Sequence, residues 1–265
     1  MRFEGKVIVV TGAGSGMGRQ VALELLRRQA RVAAIDIRQE GLGETAGLAD
    51  AGDRLTTYTV DVTDREAVGA LPEAVIADMG VVDGLIHCAG IIQPFVRLNE
   101  LDYDAIDRVI NVNLYGTIHM VKAFLPVLLE RPIAHIANVS SMGGFLPVPG
   151  QTIYGATKAG VKLMTEGLYA ELLETNVGIS VVMPGAVATD IAANSGIEMG
   201  DMDVEESDYP TTSAEDAARI ILDGIEKDRL HILVGRDSVM MNVATRAAPR
   251  RATHLIYRQM KDLLG

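Results

Sequence analysis

The stretch Lys6-Val7-Ile8-Val9-Val10-Thr11-Gly12-Ala13-Gly14-Ser15-Gly16-Met17-Gly18 decides how the rest of the chain reads. Residues 6–10 are a β-branched apolar run too short for a helix, so they are predicted as a buried strand. The glycines punctuate that run, and 16–29 takes up helical spacing. The alternation then continues with little interruption. Strands are predicted at 31–36, 55–60, 84–88, 133–139, 178–183 and 231–234, and helices at 39–51, 64–79, 103–130, 154–176 and 214–227. Bends are expected in the long helix near Gly116 and Pro126. The strands are apolar runs rather than alternations, as a parallel sheet covered on both faces requires. Seven such strands imply an α/β fold with a doubly wound parallel sheet flanked by helices.

The glycine turn gives this sheet a Rossmann-like character. Gly12 allows a tight exit from the first strand, while Gly16 and Gly18 let backbone and helix approach a pyrophosphate, whose charge a helix N-terminus favours. Ser15 and Met17 fill the same turn. Because the turn follows a strand and opens a helix, its context is that of a dinucleotide site. Asp36 closes the second strand eighteen residues past Gly18. A carboxylate there accepts hydrogen bonds from ribose hydroxyls and repels a 2′-phosphate, which points to NAD; the alternative is a solvated acid or a helix cap. Arg38 is a competing cation that would accommodate a phosphate, although no basic residue lies within the turn itself. Asp61 and Val62, ending the third strand, are candidates for the adenine edge, with an N-cap aspartate as the alternative.

A second constellation concerns protons. Tyr154 and Lys158 lie one helical turn apart, Ser141 is thirteen residues upstream of Tyr154, and Asn113 precedes them. A tyrosine titrates near 10 when free. A lysine on the same helix face stabilises the phenolate and draws that value toward neutrality. Ser141 follows the strand at 133–139, where open α/β sheets place their ligands. From there its hydroxyl can hold a carbonyl or alcohol oxygen against the Tyr154 proton. Read alone, the pair is more often a surface tyrosine beside a solvated lysine; the order of the surrounding elements raises it above that.

With the glycine turn, Asp61, Asn113, Ser141, Tyr154 and Lys158 in this order, the chain resembles the short-chain dehydrogenases/reductases over about residues 3–235. The resemblance implies that Tyr154 is the general acid/base, that Lys158 lowers its pKa and binds the nicotinamide ribose, and that Ser141 orients the substrate oxygen. It further implies that Asn113 holds a water linking Lys158 to solvent. Pro184, Gly185, Val187 and Thr189 match the family's segment around the nicotinamide. One departure is plain: the family's Asn-Asn-Ala-Gly is His87-Cys88-Ala89-Gly90 here. Ala89 and Gly90 keep the space beside the cofactor, and a structural histidine at 87 is expected.

Composition restricts the remaining classes. The 265 residues suit one domain, and 48% hydrophobic content with a net charge of −11 is that of a folded chain. That negative sign argues against nucleic acid or an anionic membrane as a main partner. The N-terminal residues lead directly into a strand, so no signal peptide is expected, and the uninterrupted apolar runs are short of a membrane span. Cys88 is the only cysteine, which excludes an intrachain disulfide and suggests a reducing, cytoplasmic setting. Beside His87 it reads as a small buried residue rather than a metal ligand or nucleophile, and no metal is expected.

Residues 1–235 are expected to form the binding and catalytic domain, with 191–210 as a substrate lid and 236–265 as a basic tail of the same domain. That tail holds six Lys or Arg against two Asp, giving it +4 and leaving −15 on the residues before it. A structural or oligomer role is expected for it ahead of a membrane-surface one. Phe95, Met142 and Gln151 are candidate substrate walls, and Gln93, beside Phe95, is read as part of the same wall. The lid carries Glu198, Asp201, Asp203, Glu205, Glu206 and Asp208, which would repel an anionic substrate. A neutral, mostly apolar ketone or secondary alcohol is therefore expected, in a homodimer or homotetramer. The alternatives are a 3-oxoacyl-thioester reductase and a non-catalytic dinucleotide-binding protein.

Overall fold

The computed structural model describes residues 1–189, 191–197 and 211–261. Seven strands form one parallel sheet: β1 (Val7–Thr11), β2 (Arg31–Asp36), β3 (Leu55–Thr59), β4 (Gly84–His87), β5 (Ala134–Val139), β6 (Val177–Pro184) and β7 (His231–Val234). Their order is β3-β2-β1-β4-β5-β6-β7. The chain runs outward one way from β1 and then returns to β4 on the other side. The strand ends on either side of that reversal diverge and leave a crevice.

Both faces of the sheet are covered. On one lie α1 (Gly16–Arg27), α2 (Gln39–Ala49) and α8 (Ala214–Glu226), around a core that includes Ile8, Val10, Leu25 and Ile221. On the other lie α3 (Arg65–Met79), α4 (Tyr103–Ile110), α5 (Gly116–Leu129) and α6 (Thr152–Glu171), around Val9, Leu85, Phe124 and Ile136. This two-sided burial is why β1, β4 and β5 are buried at every position.

Three details differ from the sequence reading. The long helix is interrupted one turn early, by a π-turn over Asn111–Tyr115 between α4 and α5, and Pro126 is accommodated inside α5. Taken through this turn, residues 103–129 make a helix long and apolar enough to span a membrane by length and composition. The interspersed polar residues hid that from a search for unbroken apolar runs. Its Met120, Val121, Phe124 and Leu128 are buried in the core. The Tyr154 helix ends at Glu171, five residues before the expected Asn176. There Thr175 Oγ1 donates to Leu172 O at 2.8 Å and accepts from Val177 N at 3.2 Å, turning the chain into β6.

Of the expected lid, α7 (Ile191–Asn194) and the residues to 197 are described, whereas 190 and 198–210, with the acidic run, lie outside the described residues. The tail forms two helices, α9 (Arg236–Ala247) and α10 (Pro249–Met260), which pack on each other. Met241, Ala252 and Ile256 enclose Leu146 beyond Ser141.

Candidate active site

A cavity of about 710 Å³ opens at the crevice between β1 and β4. Its walls include every residue the sequence assigned to cofactor contact: Gly12, Ser15 through Gly18, Asp36, Asp61, Val62, Ala89, Gly90, Tyr154, Lys158, Pro184, Gly185, Val187 and Thr189. Ser141 lines the same space.

The glycine turn is built by close approach. Gly12 has φ +66°, and a Cβ on it would sit 3.0 Å from Ala89 N, pressing β1's exit into β4's. A Cβ on Gly18 would lie 2.2 Å from Gly12 O, so α1 can start this close to the strand only without a side chain there. Asp36 reaches under the turn: its Oδ2 accepts from Gly14 N at 2.9 Å and its Oδ1 from Arg38 N at 3.0 Å. Arg38 folds back so that Nη2 donates to Ser15 Oγ at 2.9 Å, and Asn194 Nδ2 donates to the same oxygen at 3.1 Å. Asp61 is not the helix cap. Its Oδ1 accepts from Thr63 N and Thr63 Oγ1, both at 2.8 Å, while Asp64 caps α3.

At the other end stand Ser141, Tyr154 and Lys158. The buried Lys158 ammonium donates to Val139 O at 3.0 Å and sits 5.9 Å from the centre of the Tyr154 ring. Burial depresses its pKa to about 8, with Cys88 opposing. Burial pushes the Tyr154 phenol above its ordinary value, and a hydrogen bond with Ser141 partly offsets this. Desolvation of the phenolate is the dominant cause here, and it acts against the lowering expected from Lys158. Ser141 Oγ also accepts from Gly143 N at 2.9 Å, which fixes the hydroxyl. Cys88 lines the cavity, but burial raises its thiol to about 12, which keeps it protonated.

Asn113 is fully buried in the π-turn and does not line the cavity. Its side chain clamps one residue: Nδ2 donates to Ile91 O and Oδ1 accepts from Ile91 N, each at 2.9 Å, and Nδ2 also reaches Thr157 Oγ1 at 3.2 Å. These bonds fix the segment after β4. The three candidate substrate walls also lie elsewhere. Gln151 is buried and donates to Gln93 O at 2.7 Å, Met142 packs against the Leu146 cluster, and Phe95 is outside the cavity lining. Ile91, Ile92, Ile191 and Asn194 line the cavity in their place.

Sequence reasoning took Gln93 for a pocket wall and missed what it does. Fully buried, its Oε1 accepts from Ile153 N at 2.8 Å and Tyr154 N at 2.9 Å, and its Nε2 donates to Gly150 O. It thereby satisfies two orphan donors of α6's first turn, the turn that carries Tyr154. Arg19 and Thr45 were missed as well: Arg19 bonds Gly14 O, Thr45 Oγ1 donates to Ala13 O at 2.8 Å, and together they hold the glycine turn from behind.

The family described as short chain dehydrogenase matches residues 6–199 of this chain. A putative oxidoreductase of Mycobacterium tuberculosis, SadH, is 36% identical over 252 residues, covering 92% of this chain and 91% of that protein. A 3-oxoacyl-[acyl-carrier-protein] reductase of Thermotoga maritima is 38% identical over 192 residues, 71% of this chain and 77% of that protein. Among solved structures, a short-chain dehydrogenase/reductase from Burkholderia phymatum in complex with NAD aligns with a TM-score of 0.85 at 28% identity, covering 95% of this chain and 96% of that one. A short-chain dehydrogenase from Burkholderia cenocepacia in complex with NADP aligns at 0.81 and 27% identity, covering 97% and 99%.

Proposed function

This chain belongs to the short-chain dehydrogenase family, oxidoreductases that act on CH–OH groups with NAD or NADP, and we propose that it interconverts a neutral, mostly apolar secondary alcohol and its ketone, using NAD(H). The observation that carries this reading is the placement of Ser141, Tyr154 and Lys158 at one end of a cavity whose other end is the glycine turn with Asp36 beneath it.

The residues fit a dinucleotide. Gly12 and Gly18 leave bare backbone where any Cβ would collide, and the cavity runs without a break from Asp36 to Lys158. Asp36, Asp61 and Val62 would hold the adenosine end, the glycine turn the pyrophosphate, and Lys158 the nicotinamide ribose. Bound there, the nicotinamide supplies or accepts the hydride. NAD is preferred because the Asp36 carboxylate stands where a 2′-phosphate would go, and Arg38 is tied to Ser15.

The chain's own residues manage the proton. Ser141 Oγ and Tyr154 Oη grip one substrate oxygen. In the reducing direction the Tyr154 Oη proton moves to that oxygen, and the phenolate left behind is stabilised by the Lys158 ammonium. In oxidation the phenolate takes the hydroxyl proton. A phenol held protonated by burial is a resident acid, which suits ketone reduction. Gln93 and Asn113 position the machinery from outside it. Ile91, Ile92 and Ile191 give the cavity apolar walls, in keeping with an apolar substrate. A cytoplasmic homo-oligomer completes the reading.

A second reading, reduction of a 3-oxoacyl thioester, is favoured by the Thermotoga relative's activity. NADH-oxidation assays over ketones, diketones, steroids and 3-oxoacyl thioesters separate the two. Turnover of thioesters alone would replace the first reading with the second, and no turnover with any carbonyl would overturn both.

A further inference from the structure

The described part of the C-terminal module, residues 236–261, exposes only positive charge. Its one carboxylate, Asp237, is buried and accepts from Ala186 N at 2.8 Å. α10 turns Ala252 and Ile256 inward, onto Leu146 and Met241. Arg250, His254 and Arg258 therefore share its outer face at four-residue spacing, with Arg251 and Lys261 beside them. Among the described residues none of Arg250, Arg251, Arg258 and Lys261 forms an ion pair, whereas Arg28 alone makes three such contacts, with Glu24, Asp223 and Glu226. Like charges one turn apart weaken a helix unless an anion relieves them.

The stripe is not purely polar. Leu255 (45% exposed) and Tyr257 (51%) flank it, and α9 turns Val239, Met240 and Val243 outward. Arg250, Arg251, His254, Leu255 and Arg258 line an open groove of about 610 Å³. A small soluble anion would neutralise the arginines and leave the apolar side chains in water. A surface of anionic headgroups over acyl chains satisfies both.

We propose that the outer face of α10 docks this protein on an anionic phospholipid bilayer. The net charge of −11 does not oppose this at contact, because the acidic excess lies before residue 236 and is screened beyond a Debye length of roughly 8–10 Å. Docking brings the turn after Ser141, on which α10 rests, toward the membrane in which an apolar ketone partitions. That last consequence rests on the proposed function. The docking itself does not, since it is measured without turnover.

The test is co-sedimentation of the full chain with vesicles of phosphatidylcholine containing phosphatidylglycerol, and with vesicles of phosphatidylcholine alone. Binding to the first only is expected, reversed by salt. The double variant Arg250→Gln/Arg258→Gln should partition roughly thirty-fold more weakly, with an unchanged thermal melt, and Leu255→Ser should weaken binding at constant charge. Failure to bind phosphatidylglycerol vesicles, or equal binding by the double variant, would overturn the proposal. Without vesicle binding, a fall in the variant's light-scattering mass would reassign the face to a second copy of this chain. A raised KM for a carrier-linked thioester would reassign it to an acidic carrier.

Discussion

His87 Nδ1 lies 2.8 Å from Thr11 Oγ1, and the surroundings of the hydroxyl fix which way that hydrogen bond runs. Thr11 Oγ1 already accepts from Cys88 N and Ala89 N, each at 3.1 Å, so its own hydrogen points to His87. The imidazole must therefore be neutral and carry its hydrogen on Nε2. That group has no partner among the described residues, and neither does Oδ1 of Asn138, the next residue across the sheet in register. The histidine that replaces the family's asparagine thus holds Thr11, which in turn holds the backbone beside the cavity.

Acid sensitivity follows. Burial lowers His87 and His135 to about 3, from an ordinary 6.5. Below pH 6.5 the unfolded chain takes up protons that the folded chain refuses, so stability falls as pH drops from 6.5 toward 3. Each histidine should cost about 2 kcal/mol between pH 7 and pH 5. Urea unfolding at the two pH values measures the loss, and His135→Asn should remove about half of it. Equal stability at both would show that these rings are hydrated.

Lys158 works in the same sense over a more alkaline window. Its folded pKa of about 8 against an ordinary 10.5 means the fold sheds a buried charge earlier than the unfolded chain does, so this group adds stability as pH rises from 8 to 10.5. Cofactor binding should weaken across the lower part of that window as the ammonium is lost. Fluorescence titration of NADH is expected to show an inflection near pH 8 that Lys158→Met abolishes, together with most affinity. Tyr154→Phe should keep NADH binding and lose turnover by a factor of at least about 10². Near-normal turnover in that variant would remove Tyr154 from the proton step.

Gln93→Leu keeps the bulk and deletes the acceptor for Ile153 N and Tyr154 N. Two buried N–H groups left open should cost roughly 1–3 kcal/mol. The displaced Tyr154 should lower kcat by about 10- to 100-fold while NADH affinity changes little. A melt and a steady-state assay on the same sample suffice, and an unaltered kcat would make Gln93 a core residue only.

The legible part of this molecule was whatever rests on spacing. Strand runs, the glycine turn and the Ser141–Tyr154–Lys158 order are local patterns, and all three converge on the cavity. Gln151 and Met142 lie outside the cavity lining, and Asn113 clamps Ile91, because a side chain's partner is a matter of tertiary approach: nothing near Asn113 in the sequence shows that Ile91 will sit against it. Gln93 was misread for the same reason, the N–H groups that donate to it, of Ile153 and Tyr154, being 60 and 61 residues away. For the Tyr154 pKa, helical proximity to a lysine is visible in sequence, and the burial of the phenol that acts against it is not.

Asp36→Ala tests the cofactor. Removing the carboxylate frees Gly14 N and leaves Arg38 without the anion 4.0 Å from it. NADH should bind more weakly and NADPH more strongly, inverting or levelling the ratio of kcat/KM. A native protein that already prefers NADPH would show that Arg38 governs the strand end.

Assembly is the last expectation. Val121, Leu168 and Leu172 are buried in the chain's own core. What remains outward on the same helices is Leu163 at 71% exposure and Tyr115 at 50%, with Leu173 at 63% just past the end of α6. Apolar side chains this open on adjoining elements mark a contact, and closed symmetry is the usual way to cover one. A homodimer at least, and a tetramer under most conditions, is expected from light scattering. Leu163→Glu places a charge where the contact would be dry, so it should halve the mass without touching Ser141, Tyr154 or Lys158. A native monomer with full activity at micromolar concentration would rule the assembly out.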